Sequence, residues 1–163
     1  MARLVLTDAS PLIALARADS LPLLQQLFGT VWMPEEVHQE VLTGSGLPGE
    51  AAFAQAKAEG WLCVDEATPQ EPALPDLDEG EAACIRMALA QEGPVLLLMD
   101  ERAGRAVAIE HGLKVAGTAA LIGIAKEKGL IPSAKEVFAR LHAADFRISA
   151  QVIDAILRRV GEL

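Results

Sequence analysis

The sequence predicts an α/β domain built on a parallel sheet, and three observations carry that expectation. Its short apolar runs, Leu4-Val5-Leu6-Thr7 and Val95-Leu96-Leu97-Leu98-Met99 above all, are continuous instead of alternating, as in strands buried on both faces. Stretches with helical spacing separate these runs, the pattern of strand–helix–strand units. The 163 residues, 52% hydrophobic and 23% charged, are enough for one core and exclude intrinsic disorder. No repeat, linker or low-complexity tail divides the chain, so residues 1–163 are expected to form a single domain.

The elements follow in order. Residues 4–7 are a buried strand, and Ser10-Pro11 behind it is a helix start, with Ser as N-cap and Pro at the first helical position. Residues 30–33 form a second strand, after which Pro34-Glu35-Glu36 supplies the proline and acids of a first helical turn. A helix follows Gly49, and residues 61–64 are a third strand. Pro69, Pro72 and Pro75 make residues 67–77 a surface loop. Residues 78–91 read as a helix with Ala82, Ile85 and Leu89 on one face, ended by Gly93-Pro94. Residues 95–99 are the strongest strand. A helix from Glu101, a short strand Lys114-Val115-Ala116 and an Ala-rich helix over 118–128 come next. Two helices, at 133–142 and 149–160, give the chain an all-helical C-terminal end. Their apolar residues, among them Phe138, Leu141, Phe146, Val152 and Ile156, are expected to cover the sheet edge, with a partner surface as the alternative.

Several chemistries are excluded. Cys63 and Cys84 form no CxxC or Cys/His spacing, which argues against zinc and fits buried, reduced thiols of a cytoplasmic protein. The longest apolar run, residues 115–125, has 11 residues against about 20 needed to cross a bilayer. One Arg and four apolar residues ahead of Asp8 are too few for a signal peptide. His38, His111 and His142 have no nucleophile partner, and Gly44-Ser45-Gly46 follows a helix, the wrong context for a phosphate loop. Four Phe, two Trp and no Tyr supply a base-stacking platform poorly. The net charge of −9 argues against binding nucleic acid by charge alone. That excess is uneven, however. Residues 1–101 hold 4 basic and 17 acidic groups, whereas residues 102–163 hold 10 basic and 6 acidic.

What remains is carboxylates. In open α/β sheets the working site lies beyond the carboxyl ends of the strands. Asp8 and Asp100 stand there, each directly after a run that must be buried. Both precede helices, so an N-cap role competes; Ser10 weakens that role for Asp8. Glu40 borders the buried Val37/Val41 stripe of its helix. In Asp78-Glu79-Gly80-Glu81, Asp78 and Glu81 have capping-box spacing, yet Glu81 also lies in line with Ile85 and Ala88 and tilts toward the core. Carboxylates without His or Cys are hard oxygen ligands that suit Mg²⁺ or Mn²⁺.

These residues carry a resemblance. Asp8-Ala9-Ser10-Pro11-Leu12-Ile13 and Val31-Trp32-Met33-Pro34-Glu35-Glu36-Val37-His38-Gln39-Glu40-Val41 resemble the first two motifs of PIN-domain proteins. Leu77-Asp78-Glu79-Gly80-Glu81-Ala82, and Leu98-Met99-Asp100-Glu101 with Arg105, resemble the third and fourth in a PIN-like branch formerly of unknown function. Gly129-Leu130-Ile131 and Phe146-Arg147-Ile148-Ser149 match the same branch. The resemblance implies a three-layer α/β/α sandwich with a central parallel sheet. It also implies a metal-dependent ribonuclease, often a VapC-type toxin that forms homodimers and is masked by an antitoxin protein. Asp8, Glu40, Glu81 and Asp100 become the acidic quartet. The third place, where Asp is usual in the family, is open to Asp78 or Glu81; Asp78 has the better capping role, which favours Glu81.

Four clustered carboxylates repel one another and partly protonate unless a cation relieves them. Asp8 and Asp100, on strand ends, are the expected direct ligands, with Glu40 and Glu81 acting through water. Thr118 is expected as an N-cap near the site, and Arg105 as an i,i+4 partner of Glu101 before it is a substrate clamp. Against the ribonuclease stands a catalytically silent PIN-like module that works through protein contacts. A receiver-like phosphoacceptor at Asp100 ranks last, lacking an acid pair after the first strand and a Lys after Ala116.

Overall fold

A computed structural model describes residues 4–163; the short N-terminal segment weighed above as a signal peptide lies partly outside them, including its one Arg. The chain runs β1 (Leu4–Thr7), α1 (Ala9–Arg17), α2 (Leu23–Phe28), β2 (Val31–Pro34), α3 (Glu35–Val41), α4 (Glu50–Ala58) and β3 (Leu62–Asp65). It continues α5 (Glu79–Leu89), β4 (Val95–Leu98), α6 (Arg102–Glu110), β5 (Lys114–Ala116), α7 (Thr118–Glu127), α8 (Ala134–Ala143) and α9 (Ala150–Arg159). The strands form one sheet in the order β3-β2-β1-β4-β5, every neighbouring pair parallel. With its helices the sheet makes the three-layer α/β/α sandwich the sequence implies.

The apolar runs are where that architecture needs them. Leu6, Met33, Leu97 and Leu98 have no exposed surface, and α5 packs across β1, β2 and β4 through residues such as Ile85. Burying each such side chain is worth about 1.5–3 kcal/mol. Strand order reverses between β1 and β4: the chain builds leftward to β3 and then crosses to β4. Main-chain pairing runs past the strands at this point, with the Asp8 amide donating to Leu98 O at 2.9 Å and the Met99 amide to Ala116 O at 3.0 Å. A crevice at such a reversal is the usual site of an open α/β sheet.

Several local expectations change. Helix α2 was not anticipated. Helix α1 starts one residue after Asp8, so Asp8 occupies the N-cap position expected for Ser10, although its carboxylate makes no capping bond. Glu101 takes the corresponding position before α6, and Gly117 takes it before α7, where Thr118 is the first helical residue. The C-terminal helices pack chiefly on other helices and not, as expected, along the sheet edge. Phe138, Leu141 and Leu157 join Ala14 and Ile122 in a second apolar cluster, so α8 and α9 pad α7 and α8 also meets α1. Among the described residues no helix is long and apolar enough to cross a membrane.

Candidate active site

All four predicted acids lie at the carboxyl end of the sheet, around the β1/β4 reversal. Asp8 follows β1 and is only 6% exposed; Asp100 lies just past β4 and is half-buried. Glu40, on the last turn of α3, is exposed. Glu81, on the first turn of α5, is 5% exposed.

Glycines let these groups approach. A Cβ at Gly80 would lie 3.2 Å from Asp8 Oδ1 and 3.4 Å from Glu40 Oε2, so both carboxylates lean over the same bare stretch of α5. A Cβ at Gly104 in α6 would collide with Glu81 Oε2, and it would lie 2.7 Å from Met99 Sδ. At Gly117 it would lie 2.6 Å from Arg105 Nη1 and 3.0 Å from Asp100 Oδ1. None of these three glycines is marked as a site residue by the sequence motifs. The one available signal was a glycine within helical patterns at 80 and 104, where alanine is normally preferred by about 1 kcal/mol.

Each carboxylate has a different setting. Asp100 reaches the N-terminus of α7, accepting from the Thr118 amide on Oδ1 and the Thr118 hydroxyl on Oδ2, both at 2.7 Å. This fixes its plane and satisfies an orphan helix-start donor. Burial pushes Asp8 up to about 6 from its ordinary 3.8; the Ala9 amide opposes this, while Asp78, Glu40 and Asp100 add repulsion. Glu81 rises to about 8, first through burial and then through Asp78 and Asp8. Glu40 is raised by partial burial and by Asp78. Asp78 Oδ1 accepts from the Glu81 amide at 2.8 Å, while Glu81 Oε2 is buried without a hydrogen-bond partner among the described residues.

An unpaired buried carboxylate oxygen normally costs a few kcal/mol unless protonated or bound to a cation. The donor set, oxygen alone and repulsive with itself, therefore fits a hard divalent ion. Among the described residues, no group of three or more Asp, Glu, His or Cys side chains converges tightly enough to hold an ion as it stands. Engagement of an ion thus needs side-chain movement, which exposed Glu40 can supply.

Arg105 does not pair with Glu101. It makes no ion pair among the described residues, which contain only His38–Glu35 and Arg159–Glu127, and its guanidinium borders Gly117 beside Asp100. The histidines stay apart from the acids: His38 turns to Glu35 and to Lys57 Nζ at 2.9 Å, and His111 and His142 are exposed. Cys84 is buried, its thiol pushed well up by desolvation and donating to Thr7 O at 3.4 Å, an inert packing role.

No curated protein and no solved structure matches the chain. A family model of the PIN domain matches residues 4–162, nearly the whole length. PIN domains are generally nucleases, act on nucleic acid and typically use divalent metal ions. With its parallel sheet and acids gathered at the β1/β4 reversal, the chain belongs to the PIN-domain family.

Proposed function

We propose that the chain, taken whole as one PIN domain, is an Mg²⁺- or Mn²⁺-dependent endoribonuclease that hydrolyses RNA phosphodiester bonds. The observation that carries the reading is the buried Glu81 Oε2, unpartnered among the described residues, beside Asp8 and other carboxylates. Asp8 and Asp100 would hold the cation directly, with Glu81 and Glu40 completing its surroundings. When bound, such an ion supplies positive charge to the scissile phosphate and acidifies water. The chain's own groups do the rest. Thr118 and the α7 N-terminus hold the Asp100 carboxylate in one plane. Asp8 and Glu81, raised above their ordinary values, would give up protons to hold a cation. Glu40, exposed at the rim of the site, would orient the attacking water or accept its proton.

The same reading makes the protein the toxin of a toxin–antitoxin pair: cytoplasmic, homodimeric and masked by an antitoxin protein until released. The family resemblance supports this role. The test is cleavage of RNA with Mg²⁺ or Mn²⁺ by the unsubstituted protein and by Asp8→Asn. Cleavage is expected to fall at least roughly 100-fold in the variant. Equal cutting by both proteins rejects the site. No cutting with any divalent ion, together with no ion-dependent rise in Tm, points to the silent protein-binding module instead.

A further inference from the structure

Thirteen residues, 66–78, join β3 to α5 without a helix or strand of their own. Connections of that length are uncommon in compact domains and, when not disordered, are usually functional. This one carries Pro69, Pro72 and Pro75 and is tied down along its length. The Thr68 hydroxyl donates to Glu36 Oε1 of α3 at 3.0 Å. Further along, Pro72 O accepts from Arg86 Nε of α5 at 2.7 Å. Leu74 and Leu77 pack half-buried against the main core, and the loop ends at Asp78, which accepts from the Glu81 amide.

The helices that this loop ties together are the two that carry Glu40 and Glu81. Helix α3 has only seven residues, well short of a helix that holds itself in water. It meets α5 at Gly80, where Val37 Cγ2 lies 3.4 Å from the position a Cβ would take. With no side chain at Gly80, no knob sets the spacing or rotation of the pair there. Glu36 lies one turn before Glu40 on the same side of α3, so whatever holds Glu36 also sets where Glu40 points. We infer that the β3–α5 loop is a brace between α3 and α5 that sets where Glu40 lies against Glu81, with Thr68 and Arg86 as its anchors. The inference rests on the metal-dependent reading and adds to it two positioning residues outside the acidic cluster. Each acts through the helix it holds. The prolines stiffen the span between the anchors, because each fixes one φ angle, so a constraint at one end reaches the other.

The full-length protein is titrated with Mn²⁺, and the free ion is read by electron paramagnetic resonance. Thr68→Val and Arg86→Met are each expected to weaken Mn²⁺ binding at least roughly fivefold. Thr68→Ser and Arg86→Lys, which keep a donor, should bind within about twofold of the parent. Loss of the Arg86 charge by itself favours a cation nearby, so weakening in Arg86→Met reports position and not charge. A brace needs both ends, so the double variant Thr68→Val/Arg86→Met should lose little more than the worse single variant. In chelator, hydrogen exchange of the Glu81 amide should speed roughly tenfold in both single variants, while α7 exchanges as in the parent. Thermal melting verifies that each variant is folded. Parent-like or tighter Mn²⁺ binding by the folded variants, losses that multiply in the double variant, or unchanged exchange at Glu81 overturns the brace. If the parent cuts RNA with Mn²⁺ and Thr68→Val and Arg86→Met bind the ion and cut equally well, the brace falls and the ribonuclease stands. If the parent binds no Mn²⁺ but exchange at Glu81 rises in both variants, the brace stands and the metal-dependent reading falls.

Discussion

Gly104 is the third residue of α6, in a turn where an alanine would ordinarily favour the helix, by up to about 0.8–1 kcal/mol in a helix interior. Here a methyl group would strike Glu81 Oε2 and Met99 Sδ, both on buried side chains that would have to shift. Overpacking of this kind typically costs about 1–3 kcal/mol. Gly104→Ala is therefore expected to lower Tm by a few degrees and to reduce RNA cleavage, whereas Gly93→Ala, which meets nothing within 4 Å, should change neither. A rise in Tm for Gly104→Ala would show that Glu81 does not need the gap. The residue-scale contrast is instructive. Acids directly after buried apolar runs stand out in a sequence because charge there demands a reason. A glycine acts through the side chain it lacks, and what would occupy that space comes from another helix.

At the scale of elements, the strands and most helices were legible because burial on two faces leaves continuous apolar runs and helices leave a regular stripe. Helix starts were less so. Asp8 and Ser10, or Asp100 and Glu101, offer neighbouring capping residues, and the choice falls to how far main-chain pairing extends beyond each strand. Asp100, relieved of capping its own helix, serves α7 instead, a contact 18 residues away in the chain. The turn before α4 has a different anchor. The buried Glu50 side chain accepts from the Thr43 amide and hydroxyl and from the Gly46 and Leu47 amides. The Thr43 hydroxyl bond, joined by these amides, holds Glu50 below its ordinary value against the opposing effect of burial. A lowered folded value means stability present above the unfolded value and lost as pH falls through the folded one. Glu50→Gln should thus melt at lower temperature than the parent near neutral pH, and the two should converge in acid. A gap that persists unchanged below about pH 3 would contradict the anchor.

For the whole molecule, the acidic site works against folding when no cation is present. Asp8 and Glu81 have folded values raised to about 6 and about 8, so the folded state binds more protons than the unfolded one between their ordinary and raised values. Stability then falls as pH rises through that window. In chelator, Tm is expected to be higher at about pH 5 than at about pH 8.5, and Glu81→Gln should flatten that difference. Saturating Mn²⁺ should raise Tm most at the higher pH, since the ion displaces those protons; an ion at 100 times its Kd adds about 2.7 kcal/mol. A metal-free Tm that climbs with pH would contradict the arrangement. The charge of −9 is the global sign of this: 17 of the 23 acids precede residue 102, and the cations that offset them follow it. Sequence alone determined the parallel α/β architecture, the family resemblance and the four candidate acids, because apolar runs and the charges that end them are local patterns. Only the tertiary structure decided that Glu81 is buried with an oxygen unpartnered among the described residues, that Asp100 is held by Thr118, and that Arg105 lies beside it with no ion pair among those residues. Each of those facts depends on which helix lies across the β1/β4 reversal, a relation between segments far apart in the chain.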